Sequence, residues 1–430
     1  MNAFPLYRSK CYNLRVPLRE IFSAALLLAL VACASSISLP IPAATPTARV
    51  ILSTPTPADA FTFRLIGRND LGARRANGGL AIARDCAYVG SRGGDGAIAI
   101  VDISTPANPS LVGRIPATRG IDPREVRAVN DLNLLVVMTM GVVAQPAANG
   151  LHLYDIRDCR APKFIAAFDF GDNPPHEFYL WRDPQRPARL LAYVAMFSTR
   201  GIEIIDVSDF ARPTRLAQWN EAPRAGVMHS VSVSNDGRRA YIANWDAGLL
   251  IADSSEIAEG KPSPTLRAIS HLPYANSSTH SAISIPARRL LILTDENYAC
   301  LFGFLRVVDV AGETRPKIAG DFRVPQNDAA KCEAGIFTSH NPLAFKNIIL
   351  VTWYSSGLFA LDISDAAPPR ALAQFRNGAE QFWSYPIVRN GLIYVVSIEG
   401  GLYVLEYAGT FAEEIRAAQF AEGNSNAGSP

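Results

Sequence analysis

One short phrase recurs along this chain and limits what it can become: a glycine, four mostly apolar residues, then an acid. LHLY lies between Gly150 and Asp155, IEII between Gly201 and Asp206, and LLIA between Gly248 and Asp253. LFAL lies between Gly357 and Asp362, and LYVL between Gly401 and Glu406. Two looser copies end at Asp102 and Asp309, each with its glycine one place early (Gly96, Gly303). Successive acids are 44 to 56 residues apart. A proline stands seven residues beyond five of them: Pro109, Pro162, Pro213, Pro316 and Pro369. Two landmarks held in phase define a repeat of about fifty residues.

Each period reads as four short strands. The copy around Asp253 is clearest: residues 229–234 (HSVSVS) alternate, Asn235-Asp236-Gly237 is a hairpin turn, and strands follow at 239–244, 249–253 and 266–270. No helical period of convincing length intervenes, so parallel βαβ folds are excluded. Seven four-stranded antiparallel meanders call for a ring that leaves few open edges, an all-β, seven-bladed β-propeller. The last copy offers three strands, at 385–389, 392–397 and 402–407. Residues 61–67 (FTFRLIG) supply its missing outer strand, ahead of the first inner strand at 79–83. Residues 59–410 are therefore one domain, with a tail at 411–430.

The phrases AIAIVDISTPANPSLVG (97–113), GIEIIDVSDFARP (201–213) and GLFALDISDAAPP (357–369) resemble the LVIVD repeat of bacterial exported propeller proteins. That resemblance implies an extracytoplasmic propeller, often surface-attached, and assigns no reaction.

The first 58 residues read as an address and a tether. Arg8, Lys10, Arg15 and Arg19 precede the apolar run 21–32 (IFSAALLLALVA), which is too short to span a bilayer comfortably. The run ends in Leu30-Val31-Ala32-Cys33, which resembles the bacterial lipoprotein box and marks Cys33 for lipidation. An ordinary cleaved signal peptide or an uncleaved membrane anchor is the alternative. Residues 33–58, rich in Ser, Thr, Pro and Ala, read as a spacer holding the body off the outer face of the membrane. The chain carries 41 basic and 39 acidic residues; without residues 1–32 it keeps 37 and 38. A nearly neutral body offers no basic surface for nucleic acid.

The repeated acids are read as turn-formers: an Asp at a strand end accepts a backbone N–H two residues on. The proline fixes φ as the chain enters the exposed fourth strand, and the glycine serves the tight loop before the third.

Histidine is the functional signal. Only six occur, and His176, His229, His280 and His340 occupy one repeat position, at the start of the first strand of four consecutive blades. First strands line a propeller's channel, so these imidazoles are expected to converge at one mouth. His152 and His271 fall elsewhere in their blades and read as ordinary. The same face should carry Trp245, Asp246, Asp295, Glu296, Trp353, Tyr354 and Glu399 on second-to-third-strand loops, with Arg124 and Trp383 at equivalent first-strand starts. Imidazoles beside carboxylates suit Zn, Cu or Fe. A ring of structural histidines bonded to neighbouring blades is the competing account. Strict alternation along a strand would set His229 against Ser230, and His280 against Ser281, on opposite faces and preclude nucleophile pairs.

Four cysteines remain beyond Cys33, and an oxidising exterior favours pairing them. Cys300 and Cys332 belong to the histidine-bearing face and are expected to staple adjacent loops; Cys86 and Cys159 pair by elimination. Among functions, a surface-tethered module binding an extracytoplasmic protein, glycan or other ligand comes first. A metal-dependent oxidoreductase or hydrolase using the four histidines is the alternative.

Overall fold

A computed structural model describes residues 62–418, apart from 94–95, 117–119, 142–148, 198, 221–225, 329–333 and 366–367. The signal, Cys33 and the tether lie outside the described residues, as does Cys332.

Seven four-stranded antiparallel sheets follow one another as blades. Blade one runs through Asn77–Ala83, Cys86–Ser91, Ile98–Asp102 and Ser110–Ile115. Blade four, which carries the repeat around Asp253, has Met228–Val233, Arg239–Asn244, Gly248–Asp253 and Arg267–Leu272. In the last blade Ile387–Arg389, Leu392–Ser397 and Gly401–Tyr407 are completed by Phe63–Asn69, paired antiparallel so that Phe63 faces Tyr407 and Arg64 faces Glu406. The two ends of the described chain thus share a blade, which removes the open edges that a linear stack of sheets would expose.

The core lies between blades. Seven apolar clusters each draw on two neighbouring blades, including one that joins Leu80 and Ile82 of blade one to Tyr394 and Val396 of blade seven. The strand patterns follow from this. First, second and third strands are buried almost throughout, whereas fourth strands alternate, as in Ser110–Ile115. After the last strand a short helix, Ala412–Ala417, seats Ala412 and Ile415 between blades six and seven.

The repeat landmarks act as expected. Oδ1 of Asp102, Asp155, Asp206, Asp253, Asp309 and Asp362 each accepts the backbone N–H two residues on, at 2.8–2.9 Å. Glu406, in the copy that needs no such turn, pairs with Arg64 of the closing strand. Each of the five prolines immediately precedes a fourth strand. The glycine has a further reason: at Gly357 a Cβ would stand 1.9 Å from the Phe375 carbonyl oxygen of the fourth strand, and at Gly401 one would stand 2.1 Å from that of Asn69. Third and fourth strands approach too closely there for any side chain.

Cys86 and Cys159 form a disulfide, with Cα atoms 5.8 Å apart, that ties the second strand of blade one to the turn after the third strand of blade two. Cys300 is disulfide-bonded.

Candidate metal centre at the channel mouth

The expected convergence of the four imidazoles is present. Ring centroids are 4.0 Å apart from His176 to His229, 4.1 Å from His229 to His280, and 3.9 Å from His280 to His340. A backbone device aims them. In blades two to five the first strand slips register by one residue, and the residue left unpaired is Arg124, His176, His229 or His280 in turn. Such a bulge interrupts strict alternation and re-aims side chains. The expectation that His280 and Ser281 face apart is therefore corrected: His280 Nδ1 lies 2.7 Å from Ser281 Oγ. The same bulge lets Glu177 follow His176 toward the axis, with its Oε2 3.9 Å from His229 Nδ1.

Two sets of donors stand out. His280, Glu296 and His340 bring one ligand atom each within 4.8 Å of one another, and so do Glu177, His229 and His280. Tetrahedral donors with bonds of about 2.1 Å sit roughly 3.4 Å apart, so closure on an ion needs shifts of about an ångström. The first set is the better prepared. Nδ1 of His340 is 2.6 Å from the Trp383 carbonyl oxygen, which can only accept, so Nδ1 carries the proton. Nε2 faces Glu296 Oε1, 3.2 Å away, on a ring that a backbone carbonyl orients as it does a metal-ligating imidazole. Glu296 Oε2 also lies 3.7 Å from His229 Nε2, although His229 belongs to the other set. Tyr298 (2.5 Å) and Tyr354 donate their hydroxyls to Glu296 Oε1. His176 belongs to neither set; it stacks on Phe197, and its Nδ1 is buried without a hydrogen-bond partner among the described residues.

Electrostatics suit ligation. Burial, then repulsion from a neighbouring imidazole, pushes His176, His229 and His280 well below the ordinary histidine range, so they are neutral at pH 7. Burial alone would raise the Glu296 carboxyl, yet His340 first, then His280 and His229, hold it well below the usual carboxylate range. Burial, then Glu296, raises both tyrosines, which stay hydroxyl donors. Neutral imidazoles and an ionised carboxylate are what a divalent transition metal requires.

Other expected face residues divide. Trp245 stacks on His229 at 4.8 Å, Trp383 packs on His340 at 5.2 Å, and Tyr354 meets His340 edge-on. Trp353 instead faces the interface of blades five and six, against Phe322 and Phe359, with Nε1 on the Phe337 carbonyl. Asp295 turns away to ion-pair with Arg306 and accept from Tyr274. Asp246 is exposed beside the mouth. Glu399 accepts the Gln381 backbone N–H at 2.9 Å. Side chains after a loop's first residue follow its local turn, which the repeat phase does not encode.

Sequence reasoning missed a buried network one step along the channel. Arg127 reaches Glu125 at 3.2 Å and Glu177 at 3.6 Å, and Tyr385 donates to Glu177. Burial, then Glu125, pushes the Glu177 carboxyl up to about 8, so it is protonated at neutral pH. Arg92, from blade one, was also missed; it lies 4.5 Å over the Trp383 ring and hydrogen-bonds Tyr354. An acid directly after a repeat-position histidine was the signal available for Glu177.

Residues 77–116 and 225–262 match the LVIVD repeat. The chain thus carries LVIVD repeats on a seven-bladed β-propeller, and the first match spans all four strands of blade one. No curated protein matches the chain.

Proposed function

We propose that this LVIVD-repeat propeller is an exported binding module whose histidine-bearing mouth holds a transition-metal ion, with Zn, Cu or Fe suited to the donors. His280, His340 and Glu296, with His229 beside them, would hold the ion, which when bound would supply Lewis acidity there. The observation that carries the reading is the convergence of His280, Glu296 and His340, one ligand atom of each within 4.8 Å of the others, with Nδ1 of His340 held on a backbone carbonyl. A cation there would replace the His340–Glu296 contact with two ligand bonds. Binding is preferred over turnover because Ser281, the hydroxyl against His280, is itself buried.

The test is elemental mass spectrometry of protein purified without an affinity tag. Near-stoichiometric metal in the parent, lost in His280→Ala and His340→Ala variants that keep the parent's circular dichroism, is expected. A parent that stays metal-free after incubation with each of the three ions overturns the reading.

Export and lipidation at Cys33 complete the proposal. The Cys86–Cys159 disulfide is compatible with an oxidising exterior, and no helix among the described residues is long and apolar enough to cross a membrane. Labelled palmitate should enter the wild-type chain and not the Cys33→Ser variant; equal labelling of both refutes the anchor.

A further inference from the structure

The seven ring positions at the mouth are not equivalent. Four consecutive blades place imidazoles there, but blade two places Arg124 at the same bulged position, and blade one places Gly78 and Gly79. Over this gap reaches Arg92, which lies on Trp383. The arc of histidines is thus faced by two guanidiniums. Nε of Arg124 is buried with no hydrogen-bond partner among the described residues. Burial and the nearby Arg92 push Arg124 below its ordinary value, with Glu125 and Glu296 only partly offsetting them, and an anion on the fork would relieve that repulsion.

Charge balance points the same way. The guanidiniums of Arg92, Arg124 and Arg127 face the carboxylates of Asp122, Glu125 and Glu296. A divalent ion on the imidazoles would add two positive charges in a desolvated site, where uncompensated charge is costly. The rim supplies a different surface. Phe197 is 48% exposed while stacked on His176, and half-buried Trp245 lies on His229.

We infer that the mouth binds an organic oxyanion, its carboxylate or phosphate on the Arg124 fork beside Arg92 and its apolar body against Phe197 and Trp245. This rests on the metal reading for the added charge, while the arginine and aromatic contacts stand without it. A guanidinium fork matches either oxyanion bidentately.

Isothermal titration of benzoate, phenyl phosphate and benzyl alcohol into the full-length protein tests it, with metal content measured on every sample. Benzoate or phenyl phosphate is expected to bind at least tenfold more tightly than benzyl alcohol, and the arm that binds better distinguishes carboxylate from phosphate. Arg124→Gln should weaken the anion at least tenfold with metal content unchanged, the loss of a charge-assisted pair, and Arg124→Lys should restore part of it. Phe197→Ala, at an exposed position that leaves the core intact, should weaken benzoate and leave inorganic phosphate unaffected. Three outcomes overturn the inference: no binding of either anion, equal binding of benzyl alcohol, or parent affinity in Arg124→Gln. A metal-free parent that still binds benzoate through Arg124 refutes the metal reading alone; metal-loaded protein that ignores both anions refutes this inference alone.

Discussion

Replacing both Cys86 and Cys159 with alanine should cost the propeller about 4 kcal/mol. The cysteines are 73 residues apart in sequence, and the loop-entropy relation gives about 4.4 kcal/mol at 25 °C for a closed loop of that length. The bridge spans the interface of blades one and two, where Cys86 is fully buried among Tyr88, Ile100 and Val137, so alanine also removes some apolar contact. Residual structure in the reduced unfolded chain works the other way, and a measured loss of about 3–4 kcal/mol is expected. Urea unfolding followed by tryptophan fluorescence reads it, without reductant, because reduction would also open the disulfide of Cys300. Cys86 pairs with Asp102, at the end of its strand away from the mouth, so metal content should not change. A loss below about 1 kcal/mol, with a cooperative transition in both proteins, would show that the bridge does not constrain the unfolded chain and refute the argument.

Three further outcomes are specific. Gly357→Ala should destabilise by about 2–4 kcal/mol, since its Cβ would meet the Phe375 carbonyl at 1.9 Å and its φ is +86°; an unchanged urea midpoint contradicts the close-approach account of the repeat glycine. Stability without metal should fall as pH drops below about 6.5, because His176, His229 and His280 take up protons more readily unfolded than folded, three groups against Glu177, whose raised carboxyl works the other way. Glu296, held low in the fold, adds a loss in the same direction nearer the carboxylate range, and a urea midpoint that rises from pH 7.5 to 5.5 is incompatible with this sign. Tyr354→Phe should weaken metal binding about 10- to 100-fold by removing a donor that orients Glu296, measured by competition with a chelator; unaltered affinity removes Tyr354 from the site.

How much of this could be read beforehand depends on what repeats. Blade count, closure by the N-terminal strand and the role of the acids follow from phase, because strand pairing and Asx turns depend on spacing that the chain repeats. The histidine arc was legible for the same reason. The bulges were not: a one-residue slip leaves the spacing intact and changes only where side chains point, which hid the His280–Ser281 contact and the inward turn of Glu177. Asp295 and Glu296 show the limit most sharply. They are adjacent on one loop, yet one closes an ion pair with Arg306 and the other reaches the imidazoles. Nothing in the order of two neighbouring acids says which will do which; the position of Arg306 on the next strand decides.

The internal repeat also separates scaffold from site without any second sequence. A residue that every blade needs must recur all round the ring, as the Asx-turn aspartates do in six blades, each with the same 2.8–2.9 Å bond. The first-strand bulge recurs in five blades and carries glycine in one, arginine in one and histidine in three. Its backbone geometry therefore does not demand an imidazole. If histidine served only to bond a neighbouring blade, each ring would show the partner that His340 has in Trp383. His176 and His229 instead leave Nδ1 buried and unsatisfied among the described residues, a cost that blade assembly gives no reason to bear. An arc of imidazoles, two with an unsatisfied ring nitrogen among the described residues and ending at an arginine whose Nε is likewise unsatisfied, is arranged for something that enters the channel mouth rather than for the ring that surrounds it.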